Sequence, residues 1–124
     1  MKKLLIIFIL FIPFPLFAET LKWDNTEKTL FMSYTYSTIL DSLQTRDIFE
    51  NHDRYHERND IINYFVKKTG KGSIPVYFIL LNIFHYQIAD HLSHKWRKGY
   101  LISINCFSYN TVRKNYNLGL KFNF

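Results

Sequence analysis

Residues 74–92, IPVYFILLNIFHYQIADHL, constrain the fold of this 124-residue chain more than any other stretch. Their number is close to the roughly 20 apolar residues that an α-helix needs to cross a bilayer. Polar side chains interrupt the stretch at Asn82, His85, Gln87 and Asp90. The pattern predicts a membrane helix with polar positions along its length.

The N-terminal segment predicts export. Residues 1–18, MKKLLIIFILFIPFPLFA, combine Lys2 and Lys3 with an apolar run, two prolines and the small residue Ala18. This is the order of parts in a secretory signal. We expect cleavage after Ala18, with an uncleaved N-terminal anchor as the alternative. Residues 19–124 then form a single helical membrane domain.

Two further segments complete the predicted fold. Residues 26–49 contain no Pro or Gly, and their apolar positions follow the spacing of a helix. Asp24, Asn25 or Thr26 is expected to cap its start. Residues 100–112 are shorter and more polar, and they predict a third helix or a partly extended segment. The predicted fold class is mainly α, a small membrane bundle of two to three helices.

Composition narrows the classes of protein. Aromatic residues make up 19% of the chain, which excludes disorder and low-complexity sequence. The single cysteine, Cys106, excludes an internal disulfide framework and is expected to be buried. The net charge of +6 suits a membrane protein, because most basic residues fall on the expected cytoplasmic side, many of them within 46–71. An exported chain does not meet nucleic acid, so we expect no such partner.

The polar positions of the predicted helices fall on shared faces. Asp41, Gln44 and Thr45 are spaced i, i+3 and i+4, and so lie on one side of the first helix. Asp41 and His85 are candidates for proton transfer, with Glu57 at the inner mouth. The alternative is that these side chains join helices by hydrogen bonds. The other positions expected in the polar interior are Asn82, Asn105 and Tyr109.

Two pairs of histidines have spacings at which helical side chains can share a metal ion. His52 and His56 are spaced i, i+4, and His91 and His94 are spaced i, i+3. Neither pair follows the His-Glu-x-x-His pattern of zinc proteases. The expected topology places the pairs on opposite membrane faces. We therefore predict solvated loop histidines, no metal and no cofactor.

The C-terminus alternates with a period of two. Its apolar residues are separated by polar residues or glycine, as in a terminal strand of an outer-membrane protein. A short strand or extended tail on a helical body accounts for the pattern equally well. The alternating apolar residues are Tyr116, Leu118, Leu120, Phe122 and Phe124.

Short motifs give the chain a resemblance. Asp41-Ser-Leu-Gln44-Thr45, Glu57-Arg-Asn59, Tyr77-Phe78 and Asn115-Tyr-Asn-Leu-Gly119-Leu-Lys121 are similar to the motifs of a group of short bacterial envelope proteins. That group carries Asp-x-x-Gln-Thr, Glu-x-Asn-Pro and a C-terminal Asn-x-x-x-Gly-x-(Lys/Arg). Here Asp60 stands where the group has proline. The resemblance implies a small helical membrane protein without an assigned activity, and it implies these site candidates: Asp41, Gln44, Thr45, Glu57, Asn59 and Asn115.

These observations leave three hypotheses for the function. The first is a small integral membrane protein of the bacterial cell envelope, in the inner membrane, with a structural or accessory role. Because so small a bundle buries little surface, its partners would be the lipid bilayer and a larger membrane protein or a second copy. The second is a membrane-embedded enzyme or proton-coupled carrier that uses Asp41 and His85. The third is a small β-rich protein of the outer membrane, and a periplasmic location also stays open.

Overall fold

The computed structural model describes residues 23–51, 53, 57 and 59–122 of the chain. Within this part the chain forms four helices and no strand: α1 (Asn25–Glu50), α2 (Asp60–Thr69), α3 (Ser73–Asp90) and α4 (His94–Asn117). The prediction of a mainly α fold is confirmed. The expected export signal lies outside the described residues.

Helix α1 begins with a reciprocal cap. Asp24 Oδ1 accepts a hydrogen bond from the backbone N–H of Glu27 at 2.8 Å, and Glu27 Oε2 accepts one from the backbone N–H of Asp24 at 2.8 Å. Two of the N–H groups that a helix start leaves unpaired are thereby satisfied. With no Pro or Gly to interrupt it, α1 then continues for 26 residues.

Helix α3 runs antiparallel to α1. Trp23 Nε1 donates to Asp90 Oδ1 at one end of the bundle, and Thr35 Oγ1 donates to Asn82 Oδ1 near its middle. Increasing residue numbers in α1 therefore face decreasing numbers in α3.

Helix α4 runs parallel to α1 and makes the most extensive contact with it. Ser37 Oγ donates to Ser108 Oγ at 2.7 Å, and Gln44 Nε2 donates to the carbonyl of Val112 at 3.1 Å. The three long helices thus form an up-down-up bundle, with the short connection 91–93 between α3 and α4.

Helix α2 lies in the segment that connects α1 to α3. Asn59 Oδ1 accepts hydrogen bonds from the N–H groups of Ile61 and Ile62, which caps the start of α2. Ile62 is buried against Ile74 and Phe78 of α3. Packing against the first turns of α3 therefore stabilises this short helix.

The structure decides between the alternatives for the C-terminal half. Residues 100–112 are helical, as the first of their two alternatives predicted, and they lie inside a longer helix, the 24-residue α4. Of the alternatives for the C-terminus, the terminal strand is wrong for the described residues, because Tyr116 lies in α4 and Gly119 turns the backbone at φ 91°. Residues 120–122 follow α4 as a short tail without regular secondary structure. Beyond that turn Leu120 is buried, and the N–H of Lys121 donates to Asp47 Oδ2.

Considered one at a time, none of α1–α4 combines the length and the apolar character that a membrane crossing requires, and this finding covers the described residues alone.

Candidate functional site

An open cleft of about 1050 Å³ lies among the four helices and collects many of the predicted site residues. Its walls carry acidic, basic, aromatic and aliphatic side chains. The site candidates from the sequence that line it are Asp41, Thr45, Glu57, Asn59, His85 and Asn115.

Asp41 and Thr45 enter the cleft from the middle of α1. They are four residues apart and therefore lie on the same side of the helix. Asn115 Nδ2 donates to Asp41 Oδ1 across the cleft at 3.4 Å, a long hydrogen bond. The first and last motifs of the resemblance thus meet in space.

Hydrogen bonds of Glu57 and Asn59 join the α1–α2 connection to α3. Glu57 Oε1 accepts from the backbone N–H of Asn59, and Asn59 Nδ2 donates to the hydroxyl of Tyr77, both at 2.8 Å. The backbone carbonyl of Glu57 also accepts from Asn63 Nδ2 at 2.8 Å. These hydrogen bonds give the two residues a structural role, and both also line the cleft.

His85 lies on the α3 wall of the cleft. Its Nδ1 forms a hydrogen bond with the hydroxyl of Tyr100, and its ring meets the ring of Tyr34 edge to face at 5.1 Å. Asp41 and His85 share the cleft, but within the described residues no hydrogen bond joins them. Proton transfer between them requires a bridging group or a movement of one side chain.

The remaining polar candidates connect helices. Gln44 is fully buried and donates to the Val112 carbonyl. Asn82 Nδ2 donates to Thr38 Oγ1 at 2.7 Å, and Asn105 Nδ2 donates to the Leu30 carbonyl at 2.8 Å. These contacts match the interpretation of the polar residues as hydrogen-bonding links between helices.

A second polar cluster lies at the end of the bundle where α1 begins and α3 meets α4. Arg97 is fully buried, and its guanidinium donates to Glu27 Oε2 at 3.1 Å. It also donates to three backbone carbonyls at the end of α3, and the ring of Trp23 covers it at 4.9 Å. These carbonyls belong to Ala89, Asp90 and Leu92.

Sequence reasoning did not find the site of Arg97. The sequence signals were the Glu of a capping box in α1 and an Arg in the first turn of α4. Neither signal shows that two positions 70 residues apart meet.

His94 belongs to this end cluster and is not merely solvated, which corrects the expectation for it. Its Nδ1 contacts Glu27 Oε1 at 2.7 Å, and single ligand atoms of Asp24, Glu27 and His94 lie within 4.8 Å of one another. The two carboxylates already hold Lys98 and Arg97. Those side chains supply the positive charge that a metal ion would bring, so the cluster functions as an ion-pair network.

Among the described residues, His91 does not belong to this cluster. His91 is exposed, and its Nδ1 contacts the backbone carbonyl of Gln87 at 2.7 Å. His52 and His56 lie outside the described residues.

The pKa values of Asp24 and Lys98, the partly exposed ion pair of this cluster, are shifted. Hydrogen bonds from Lys98 and from the N–H of Glu27 hold the pKa of Asp24 below its ordinary value of 3.8. The hydrogen bond to Asp24 correspondingly raises the pKa of Lys98 above 10.5. Both groups therefore stay charged over a wide range of pH.

Cys106 is exposed on α4, which corrects the expectation that it is buried. The hydrophobic neighbours in the sequence suggested a core position. Ile102, one turn earlier and therefore on the same side of α4, is also exposed.

Comparison of the chain with protein-family models, with curated proteins and with solved structures found no match.

Proposed function

We propose that the chain is a small integral membrane protein of the bacterial cell envelope, placed in the inner membrane, with a structural or accessory role. The observation that carries this proposal is the distribution of polarity. Within the described residues, ten polar or charged side chains are buried beside nine hydrophobic ones, while the outward side of α3 exposes apolar side chains. Charged and amide side chains are seldom fully buried in water-soluble domains.

The interface between α1 and α4 is largely polar. Ser37 and Ser108 form a buried hydrogen bond there, and Gln44 and Asn105 donate to backbone carbonyls across it. Small and amide side chains of this kind bring membrane helices together, where lipid tails remove the hydrophobic driving force between helices.

The outward side of α3 is apolar. Ile79 and Ile83, one turn apart, are 58% and 51% exposed. Neighbouring exposed side chains extend this apolar surface, and contiguous exposed apolar patches mark interaction sites. Contact with lipid tails would remove it from water. The patch also includes Val76, Leu80 and Phe84.

The polar inner side explains how such helices combine a lipid-facing exterior with modest hydropathy. A mean over a whole helix counts inward residues such as Asn82 and His85 together with outward ones. The length of α3, 18 residues, corresponds to about 27 Å, close to the roughly 30 Å of a hydrocarbon core.

Charges at the two ends of the bundle support an orientation. The end formed by the α3–α4 connection carries the network around Arg97 and Lys98. The opposite end carries the exposed basic residues Lys67, Lys68 and Lys71. By the preference of basic loops for the cytoplasm, the α2 end would face inward.

Alkaline carbonate extraction of membranes from cells that express the full chain tests the proposal. We expect the protein to stay in the membrane pellet. Ile83→Lys should shift it toward the soluble or degraded fraction, because a charge in the bilayer costs about 2.5–3.5 kcal/mol on insertion scales.

Trp96→Lys is the matched control. Trp96 is 70% exposed but lies in the first turn of α4, at the charged end of the bundle. It should therefore tolerate a lysine and leave the protein in the pellet. Release of the unaltered protein by carbonate would contradict the proposal, as would equal behaviour of the two variants.

A membrane-embedded carrier or acid–base enzyme is the second candidate. The observation that favours it is the presence of Asp41, Glu57 and His85 in one cleft. Proteoliposomes containing a pH-sensitive dye would report proton uptake, which Asp41→Asn should abolish and Glu50→Gln should leave unchanged. Uptake that persists in Asp41→Asn would remove this candidate.

A further inference from the structure

We propose that the cleft binds a small organic cation, an amine with an apolar body. The inference concerns the ligand of the cleft and does not depend on how the bundle lies in the membrane. Three properties of the walls carry it: their charge, their aromatic rings and their size.

The charge of the cleft is the first argument. Asp41 and Glu57 both line it, and within the described residues no ion pair connects either to a basic side chain. Lys114 lines the same cleft without such a pair there. Both acids are half-buried, and a carboxylate partly withdrawn from water is costly without an opposite charge. A bound ammonium group would supply that charge to the two acids together.

The hydrogen bonds of Asp41 leave room for a donor. Its described partner is Asn115 Nδ2 at 3.4 Å. An ionised carboxylate has about four acceptor positions on its two oxygens. The N–H groups of a primary amine would fill the remaining positions with charge-assisted hydrogen bonds, which are stronger than those between neutral groups.

Aromatic side chains contribute to the wall of the cleft. Tyr34, Tyr77, Phe78 and Phe107 line the cleft together with the acids. The faces of such rings attract organic cations, and aromatic cages are a recurrent way of holding them. An anion would be attracted by Lys114 but repelled by the two carboxylates that line the same cleft, so the net charge of the wall disfavours it.

The size and the aliphatic lining define the rest of the ligand. The cleft, at about 1050 Å³, is as large as the larger small-molecule sites of proteins. Ile48, Leu81 and Ile104 contribute apolar surface. A cation with an alkyl or aryl group uses both kinds of wall, whereas a bare metal ion would leave the apolar surface without contact.

Isothermal titration calorimetry tests the proposal on the purified full chain in detergent micelles at about pH 8. The probes are benzylamine, benzyl alcohol and benzoate, each corrected for its heat of dilution into empty micelles. We expect saturable binding of benzylamine at one site, and binding about tenfold weaker or less for the two other probes. Absence of saturable benzylamine binding overturns the proposal. Equal binding of benzyl alcohol, or preference for benzoate, does so as well.

Matched variants test the acids. Asp41→Asn and Glu57→Gln should each weaken benzylamine binding about tenfold, while Asp53→Asn and Glu50→Gln remove the same charges outside the cleft walls and should leave it unchanged. Circular dichroism confirms folding. Glu57→Gln keeps the oxygen that accepts from Asn59, so it remains informative if Asp41→Asn does not fold. Benzylamine binding that is equal in all folded variants overturns the proposal, whatever the carbonate extraction shows.

Discussion

At the scale of single residues, Arg97 connects three segments of the chain. Its donors satisfy Glu27 in α1 and carbonyls at the end of α3, while its own backbone belongs to α4. Arginine suits this position because five N–H donors in a rigid plane can reach several acceptors at once. The residue therefore holds the end of the bundle by a set of contacts that no other side chain reproduces.

Arg97→Met should strongly destabilise the fold. It removes the partner of the buried Glu27 carboxylate, and breaking a buried pair in this way costs about 3–5 kcal/mol. Thermal unfolding in detergent, followed by circular dichroism, measures the effect. Arg113→Met, at an exposed position of α4, is the control and should change the midpoint little. Equal midpoints for the two variants would contradict the role assigned to Arg97.

At the scale of elements, the sequence predicted a helix well where the contacts that stabilise it lie close together in the chain. The start of α1 could be predicted because Asp24 and Glu27 make their contacts within one turn. Helices α2 and α4 depended on neighbours: α2 on Ile62 packing against α3, and α4 on hydrogen bonds to α1 along its length. Local helix propensity did not predict the bounds of these two helices, because the contacts that stabilise them join residues distant in the sequence.

The cap of α1 predicts a loss of stability in acid. The folded state holds the pKa of Asp24 below 3.8. The stabilisation is therefore present above that ordinary value and is lost as the pH falls through the folded pKa. The raised pKa of Lys98 leaves its charge intact throughout this range.

Thermal midpoints between about pH 2 and pH 7 in detergent measure this effect. Asp24→Asn keeps a good capping group but cannot titrate, so its midpoint should depend less on pH than that of the unaltered protein. Asp60→Asn, at the exposed first turn of α2, serves as the control. An identical acid dependence in Asp24→Asn would argue against the contribution of the cap.

At the scale of the whole molecule, the bundle has a charged network at one end, a basic surface at the other and an apolar exterior between them. Of the acids of the cleft, Asp41 lies in α1 away from its ends, and Glu57 lies in the α1–α2 connection at the α2 end. In the proposed membrane placement, this arrangement keeps charged groups away from lipid tails and gives the cleft a polar surrounding. Position along the bundle should then decide chemical accessibility.

Labelling with a membrane-impermeant maleimide tests accessibility on spheroplasts. Exposed Cys106 should react only after solubilisation, because lipid would cover the middle of α4. In a Cys106→Ser background, Lys95→Cys should react from outside, and Lys68→Cys only after the membrane is permeabilised. Rapid labelling of Cys106 in intact spheroplasts would contradict the bilayer placement, and the reverse pattern of the two lysine variants would invert the orientation.

The sequence by itself determined the helical class, the cap of α1 and the candidate site residues. These properties depend on residues within one or two helical turns of each other, and the spacing of residues in the sequence is enough to predict such contacts. The sequence could not show that the candidates line one cleft, as the structure does for Asp41, Glu57, Asn59, His85 and Asn115.

Only the tertiary structure decided the extent of α4, the turn at Gly119 and the burial of Arg97. It also separated Gln44, which joins helices, from Asp41 and Thr45, which line the cleft. Each of these outcomes depends on groups far apart in the chain, such as the 70 residues between Glu27 and Arg97. Their free energy comes from burial and pairing across helices, and no local pattern in the sequence encodes which distant partners meet.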